Sequence, residues 1–284
     1  MKPKNFILSA SLVIVSVVTT YFVSNSTVIT NAQQTAPAVD NEYQVAAILF
    51  QQKAAEYRAL TYQAFNIAKM QLDADFDKKS LKKLPKAERK KPRAVVVDVD
   101  ETVLDNSPHQ AFLVKQHLPF MMDSWLKWGE MRRAKPIPGA VDFLNYAHQK
   151  GVRVFYVSNR LDRQKPETID NLKATGFPDV SEETVMLLTD KSTKEPRRQK
   201  ITETCRVVIL MGDNLNDLSE AFEGKSVEGR FAEVDRVKDM WGHKFIVLPN
   251  VMYGAWESAI YGPQRLTEEQ KKQMRIEALE SFSD

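Results

Sequence analysis

The sequence predicts an α/β fold in which helices cover both faces of a parallel sheet. Five apolar runs of four to six residues are rich in Val, Ile and Leu and lack polar alternation, which is typical of strands buried on both faces. Segments with helical periodicity separate these runs, as the crossovers of a parallel sheet require. The predicted strands are Ala94 to Val97, Val152 to Val157, Val185 to Leu188, Val207 to Met211 and Phe245 to Leu248.

The helices are predicted from apolar residues that recur at steps of three and four. The longest pattern runs from Glu42 to Phe76 and predicts a helix packed on the main body. A last helix is expected from Leu266 to Phe282, since Thr267 can cap it and Glu268 and Glu269 favour its first turn. Between the strands, helices are expected over Ala140 to Gln149, Pro166 to Ala174, Thr193 to Thr204 and, on a weaker pattern, Asp217 to Phe222.

The chain divides into a leader, an N-terminal helical segment and one large domain. Residues 1–32 combine a charged start, an apolar run of about eighteen residues and small residues, which indicates either a cleaved signal peptide or a retained membrane anchor. Residues 42–93 hold the N-terminal helix and a basic connector. The domain proper is expected over 94–262, with an insertion at about 108–137 that shapes a substrate pocket, and 263–284 form a C-terminal helix.

Charge and cysteine content limit the classes of function. The net charge is +3, but Asp77 to Arg93 alone carries +7, so the rest of the chain is acidic and unsuited to binding a nucleic-acid polymer. The basic segment is either a solvated connector or a contact for anionic lipid or a partner. Cys205 is the only cysteine, which excludes an intrachain disulfide. The leader predicts export to the periplasm or cell envelope, with secretion as an alternative, and a homo-oligomer stays open.

Two acidic clusters follow two of the predicted strands. Asp98 and Asp100 end the first strand and point to the same side if the chain stays extended, while Asp213 and Asp217 follow another apolar run. Ligands bind at the carboxyl ends of strands in such sheets. Four carboxylates without nearby His or Cys favour a hard cation such as Mg²⁺, which also offsets their mutual repulsion.

Four segments, VDVDET, FYVSNR, LLTDKSTK and GDNLND, resemble the ordered motifs of haloacid dehalogenase-type phosphohydrolases. VVDVDETVLDN together with ILMGDNLND is similar to the paired signatures of bacterial class C acid phosphatases. That family includes an outer-membrane haem-lipoprotein with nucleotidase activity. The resemblance spans about Tyr43 to Trp256 and implies a Rossmann-like core with a small helical cap insertion. His109 departs from the usual Tyr, Leu218 departs from the usual aromatic residue, and the lipid-accepting Cys is missing.

The resemblance assigns catalytic roles. It implies that Asp98 attacks phosphorus and forms an aspartyl-phosphate, and that Asp100 first protonates the leaving group and then deprotonates water. It implies that Ser158 binds phosphoryl oxygens and that Lys191 offsets negative charge, with Lys194 as the competing candidate.

The resemblance also assigns binding roles. Metal ligands are expected from Asp98, the backbone carbonyl of Asp100, Asp213 and Asp217. It places Asn159 and Arg160 beside the phosphoryl group as substrate contacts. Apart from the resemblance, His109 is a candidate substrate contact because it lies close to the first motif. Trp125, Tyr253, Trp128 and Trp256 either stack on the leaving group or pack in the core, and Trp125 and Tyr253 are the two chosen as substrate contacts.

The sequence therefore predicts an exported Mg²⁺-dependent acid phosphatase that hydrolyses small phosphomonoesters, with 5′-nucleotides as one substrate class. The competing hypotheses are a surface protein that binds haem or a partner on the same scaffold, and a phosphotransferase that uses the same residues with another acceptor.

Overall fold

A computed structural model describes residues 38–282 of the chain. Its centre is a five-stranded parallel sheet in the order β5-β4-β1-β6-β7, and a two-stranded antiparallel pair, β2 and β3, lies outside this sheet. The predicted α/β class with a parallel sheet is therefore confirmed. The strands are β1 Arg93–Val97, β2 Leu104–Asp105, β3 Lys135–Pro136, β4 Arg153–Leu161, β5 Val185–Leu188, β6 Arg206–Gly212 and β7 Phe245–Val247.

Helices surround the sheet and connect its strands. Helices α2 and α7 pack together on one face, and α9 contacts β6 from the other. The helices are α1 Gln44–Lys53, α2 Ala55–Asp75, α3 Lys78–Lys82, α4 Lys86–Lys90, α5 Ser107–Lys115, α6 Met122–Glu130, α7 Ala140–Gln149, α8 Lys165–Ala174, α9 Glu195–Thr204, α10 Val227–Arg236, α11 Ala255–Tyr261 and α12 Glu268–Glu277.

Strand β1 lies at the middle of the sheet and faces two cores. Val95 and Val97 pack in the larger core with side chains of α2 and α7, whereas Ala94 and Val96 pack in a second core with Ile201 of α9. Successive strand residues point to opposite faces, so a strand between two helical layers needs apolar side chains throughout. The unbroken Ala-Val-Val-Val run meets that need.

The single helix expected from Glu42 to Phe76 is two helices in the structure. Ala54 separates α1 from α2 with an extended backbone (φ −77°, ψ 129°). Helix α1 packs on α5, whereas α2 packs on α7 and the sheet, so the two segments have different partners. The weak helical pattern from Asp217 to Phe222 is also corrected, because it forms two 3₁₀ turns, Leu215–Asp217 and Glu220–Phe222.

The insertion lies between β1 and α7 and consists of α5 and α6 enclosed by the β2–β3 pair. Leu104 pairs with Pro136, and Asp105 pairs with Lys135. The insertion therefore leaves the sheet and returns to it close to the carboxyl end of β1, where the acidic motif follows.

Two further predictions concern the C-terminal helix and the N-terminal leader. Thr267 caps α12 by accepting a hydrogen bond from the Gln270 N–H at 3.2 Å. Within residues 38–282, no helix is both long and apolar enough to cross a membrane. The predicted leader, residues 1–32, lies outside the described residues.

Candidate active site

Three carboxylates meet at the carboxyl edge of the sheet. Asp98 follows β1, and Asp213 and Asp217 follow β6, which is the neighbouring parallel strand. One oxygen from each lies within 4.8 Å of the others. The Asp98 N–H donates to the Met211 carbonyl at 2.9 Å, so the ladder between the strands continues up to this point. Strand pairing therefore brings together residues that are more than a hundred positions apart.

Lys194 is the cation that faces this cluster. It is 4% exposed, and its ammonium contacts Asp98 and lies 2.7 Å from Asp217 Oδ1. Lys191, the residue favoured from the sequence, is exposed in the preceding turn. The structure therefore corrects that choice. The physical reason is position: Lys194 directly precedes α9, where the chain packs against the sheet.

Two neutral side chains hold Asp213 in place. The Asn250 amide donates to Asp213 Oδ2 at 2.8 Å, and the Thr102 hydroxyl lies 3.2 Å from Asp213 Oδ1. Thr102 also accepts a hydrogen bond from the Asp213 N–H at 3.0 Å and lies 3.3 Å from Asp98 Oδ2. Sequence reasoning assigned no role to Thr102 or Asn250, although Thr102 belongs to the VDVDET motif.

Gly212 allows Asp217 to approach the end of β6. A Cβ at position 212 would lie 2.5 Å from the Asp217 Cβ, which is closer than side chains tolerate. The Asp217 carboxylate in turn accepts a hydrogen bond from the Asn214 N–H at 3.0 Å. The glycine of the GDNLND motif is therefore required by this close contact.

The three carboxylates of the cluster carry more negative charge than Lys194 alone can offset. Burial raises the pKa of Asp98 well above its usual range, and burial together with Asp217 raises the pKa of Asp213 to about 7. Burial alone would lower the pKa of Lys194, but Asp217 and Asp98 outweigh it and raise that pKa, so Lys194 stays charged. One ammonium against three carboxylates leaves negative charge uncompensated.

The donor set fits a hard divalent cation. Asp98, Asp213 and Asp217 offer carboxylate oxygens at mutual distances that one ion can span. The Asp100 side chain does not belong to this group, because it turns toward Arg160. Of the predicted ligands, Asp100 therefore has only its backbone carbonyl to offer, as the resemblance implies.

Asp100 is held by a dense set of donors. Its Oδ1 accepts from Arg160 Nε at 2.9 Å, from Arg160 Nη2 at 2.7 Å and from Asn106 Nδ2 at 2.8 Å. Its Oδ2 lies 3.2 Å from the Ser158 hydroxyl. Arg160 is 4% exposed. Although Arg160 lines the pocket, its guanidinium binds Asp100, whereas the sequence suggested a substrate contact.

Arg197 of α9 is a further cation that the sequence did not single out. It donates to the Ser158 carbonyl and to Asn159 Oδ1, both at 2.6 Å. These contacts fix the SNR segment at the end of β4. Asn159 itself is exposed and lines the pocket. No local pattern distinguishes Arg197 from its neighbour Arg198, which instead binds Glu195.

A cleft of about 350 Å³ opens above the carboxylates. Trp125 and Tyr253, both predicted to contact substrate, line it together with Phe120, Met122 and Leu188. The Tyr253 hydroxyl donates to the buried Glu101 carboxylate, which leaves the ring facing the cleft. The cleft therefore combines a charged floor with an aromatic and apolar wall.

His109 does not belong to the lining of this cleft and is a correction to the predicted substrate contacts. It is buried within the insertion, between α5 and α6, with Nε2 3.0 Å from the Ser124 hydroxyl and its ring 5.3 Å from that of Trp125. Burial lowers the pKa of His109 to about 4. It supports Trp125 from behind as a neutral packing residue.

Comparison with known proteins agrees with this site. The family model described as HAD superfamily, subfamily IIIB (Acid phosphatase) matches residues 11–256. The chain is similar to the class C acid phosphatase from Bacillus anthracis, at 40% identity and a TM-score of 0.78, covering 85% of this chain and 98% of that one. The same enzyme with tungstate bound matches at 39% identity, with the same TM-score and coverage. The chain belongs to the acid phosphatases of haloacid dehalogenase subfamily IIIB, and it is a phosphomonoester hydrolase.

Proposed function

We propose that the protein is an exported, Mg²⁺-dependent acid phosphatase that hydrolyses small phosphomonoesters through an aspartyl-phosphate. The observation that carries the proposal is the position of Asp98 in the cleft, in contact with Lys194 and within 4.8 Å of Asp213 and Asp217. A nucleophilic carboxylate needs positive charge nearby to approach a phosphate dianion, and this arrangement supplies one fixed cation and ligands for another.

Hydrolysis proceeds in two displacements. In the first, an Asp98 oxygen forms a bond to phosphorus while the ester P–O bond breaks, and Asp100 gives its proton to the leaving oxygen. In the second, Asp100 takes a proton from water as the water oxygen attacks phosphorus, and the bond to Asp98 breaks. Inorganic phosphate leaves, and both carboxyl groups return to their starting states.

The remaining polar groups stabilise charge on the transferring phosphoryl group. Lys194 holds the Asp98 carboxylate, and its ammonium can also meet a phosphoryl oxygen. Ser158, within 3.2 Å of Asp100, can donate to another. When bound by Asp98, Asp213, Asp217 and the Asp100 carbonyl, Mg²⁺ would supply charge neutralisation for the phosphate.

The wall of the cleft favours flat leaving groups. Trp125 and Tyr253 offer aromatic faces, and the exposed Phe120 and Met122 add apolar surface to the lining. Such faces stack on nucleobases of any sequence. The proposed substrates therefore include 5′-nucleotides, whose hydrolysis outside the cytoplasm releases nucleosides for uptake. Periplasmic or envelope-associated location is part of the same proposal, with residues 1–32 acting either as a cleaved signal peptide or as a retained anchor, and with a homo-oligomer as an open alternative to a monomer.

The experiment is a metal-dependent assay of purified protein. p-Nitrophenyl phosphate should be hydrolysed with Mg²⁺ and not with EDTA, and Asp98→Asn should abolish turnover. Mass spectrometry after acid quenching should detect one phosphoryl group, located on Asp98. If the folded protein shows no metal-dependent turnover from acid to neutral pH, the binding-protein hypothesis replaces the enzymatic one.

A further inference from the structure

A chain of hydrogen bonds joins Asp100 to the insertion. The indole Nε1–H of Trp128, in α6, donates to Asn106 Oδ1 at 2.8 Å. Asn106 Nδ2 donates in turn to Asp100 Oδ1 at 2.8 Å. Asn106 is fully buried, so water does not compete for either bond. The steps of the proposed hydrolysis make no use of these contacts.

The direction of these two hydrogen bonds is set by the groups at their ends, the Trp128 indole and the Asp100 carboxylate. An indole nitrogen can only donate, and an ionised carboxylate can only accept. The amide of Asn106 must therefore turn its oxygen toward Trp128 and its nitrogen toward Asp100. In the opposite orientation, the Asn106 NH2 group would face the Trp128 N–H, and the Asn106 oxygen would face the Asp100 carboxylate. Donor would then face donor and acceptor would face acceptor, so neither buried pair could form a hydrogen bond.

The donors are distributed unequally over the two oxygens of Asp100. Oδ1 accepts from Asn106 and twice from Arg160, whereas Oδ2 lies 3.2 Å from the Ser158 hydroxyl and from Arg160 Nε. Three short contacts saturate Oδ1. Oδ2 is therefore the oxygen that is free to carry a proton, and the network determines where that proton is held.

Helix α6 contacts this network through both of its tryptophans. Trp128 binds Asn106, and Arg160 lies over the ring of Trp125 at 5.4 Å from its centroid. Arg160 Nη2 also lies 3.3 Å from Asn106 Oδ1. Because Trp125 lines the cleft, a leaving group that contacts its ring contacts the same helix that holds Asp100.

We propose that Asn106 and Trp128 are positioning residues that aim Asp100 Oδ2 at the leaving oxygen, which makes α6 part of the acid–base machinery. The inference rests on the proposed role of Asp100 as the general acid. A misaimed acid affects poor leaving groups most, because a p-nitrophenolate departs without a proton whereas an alkoxide does not.

The test replaces Trp128 by Phe, which keeps an aromatic ring and removes only the N–H donor. Values of kcat/KM are measured with Mg²⁺ for a series of substituted phenyl phosphates and for glycerol 2-phosphate. Since general acid catalysis contributes roughly 10²- to 10⁴-fold, we expect Trp128→Phe to lose about tenfold on glycerol 2-phosphate. On p-nitrophenyl phosphate we expect kcat/KM to fall by less than about twofold, with KM unchanged. The dependence of kcat/KM on the pKa of the leaving group should therefore be steeper in Trp128→Phe than in the unmutated protein.

The matched control is Trp241→Phe. The Trp241 indole also donates to a partly buried partner, the Val234 carbonyl at 3.0 Å, but it lies outside the cleft lining. This control should leave the leaving-group dependence unchanged. Asn106→Ser removes the middle member of the hydrogen-bond chain and should show the same steeper dependence of kcat/KM on leaving-group pKa. If one of the two variants does not fold, the other is sufficient to test the positioning role.

The outcomes separate this inference from the proposed function. If Trp128→Phe and Asn106→Ser lose equal factors on all leaving groups, or lose nothing, the positioning role is overturned. Asp100→Asn is measured in the same series. If Asp100→Asn itself shows no preference for good leaving groups, the acid role of Asp100 is wrong. If Asp100→Asn shows a strong preference but Trp128→Phe and Asn106→Ser show none, only the positioning role is wrong.

Discussion

Lys194 Nζ lies 2.7 Å from Asp217 Oδ1 and also contacts Asp98, so one buried ammonium bridges the carboxylates that follow two different strands. Its side chain is 5% exposed, against 7% for Asp98 and 10% for Asp217. Removing one partner of such a buried group leaves the others without compensation. The bridge therefore offsets charge between the two strand ends, and in the proposed mechanism it also holds a positive charge beside the nucleophile.

Replacing Lys194 by Met should lower kcat/KM for p-nitrophenyl phosphate by about a hundredfold or more, since the fixed charge near the transferring phosphoryl group is lost. Lys191→Met is the matched control and should stay within about twofold, because Lys191 is an exposed residue of the preceding turn. Steady-state kinetics at saturating Mg²⁺ measures both. Equal losses in the two variants would return Lys191 to the active site.

Divalent metal should stabilise the folded protein. An ion that binds only the folded state at 100 times its Kd adds about 2.7 kcal/mol, which corresponds to a rise in Tm of roughly 5–10 °C for a domain of this size. Calorimetry in Mg²⁺ against EDTA measures the shift, which Asp213→Asn should largely remove. Asp190→Asn serves as the control, because Asp190 is an exposed acid of the Lys191 turn. An identical Tm in Mg²⁺ and EDTA would argue against a metal at this cluster.

His109 should make the protein less stable in acid. Burial lowers its pKa to about 4 from an ordinary value near 6.5, so between these values the unfolded chain binds a proton that the folded protein does not. Stability is therefore lost as the pH falls from about 6.5 to 4, by at most about 3 kcal/mol.

His109→Phe should reduce this loss, because the titrating group is gone. Urea unfolding at pH 7 and pH 4.5 compares the two proteins. His243→Gln is the control, since His243 is exposed and its ring contacts Gln71 at the surface. An unchanged difference between the two pH values in His109→Phe would show that another group dominates the acid sensitivity.

Gly212→Ala should destabilise the protein and displace Asp217. The new Cβ would lie 2.5 Å from the Asp217 Cβ, so the backbone or the carboxylate must shift, at a cost of roughly 1–3 kcal/mol. Activity and Mg²⁺ stabilisation should fall together. Gly229→Ala in α10 is the control, because the nearest atom to the new methyl group is a Lys225 side-chain carbon at 3.3 Å and alanine favours the helix. Full activity in Gly212→Ala would mean that Asp217 is dispensable.

The local sequence pattern was sufficient to predict where most strands of the sheet lie. β5 begins at Val185 and ends at Leu188, as predicted, because turn residues border a short apolar run. β4, in contrast, continues to Leu161, past the expected end at Val157. Residues 158–160 were expected to lie beyond the strand, but they stay extended, with Asp100 and Arg197 bound to Ser158.

The break at Ala54 and the burial of His109 were not accessible from sequence. Neither Gly nor Pro marks position 54, and the helical pattern continues through it. The break follows from the different surfaces that α1 and α2 contact. His109 adjoins the first motif, which suggested substrate, but the fold of the insertion turns it toward Phe120 and Trp125.

The sequence by itself determined that acidic motifs follow two buried strands and that oxygen ligands dominate them, because these features depend on residue order and residue chemistry alone. Only the tertiary structure decided which lysine reaches Asp98, that Arg160 and Asn106 bind Asp100, and that Trp128 binds Asn106. Lys194 lies 96 residues from Asp98 and Arg160 lies 60 residues from Asp100, so the choice of these partners depends on how separate segments pack together. A side chain's neighbours are set by that packing, and no local pattern encodes it.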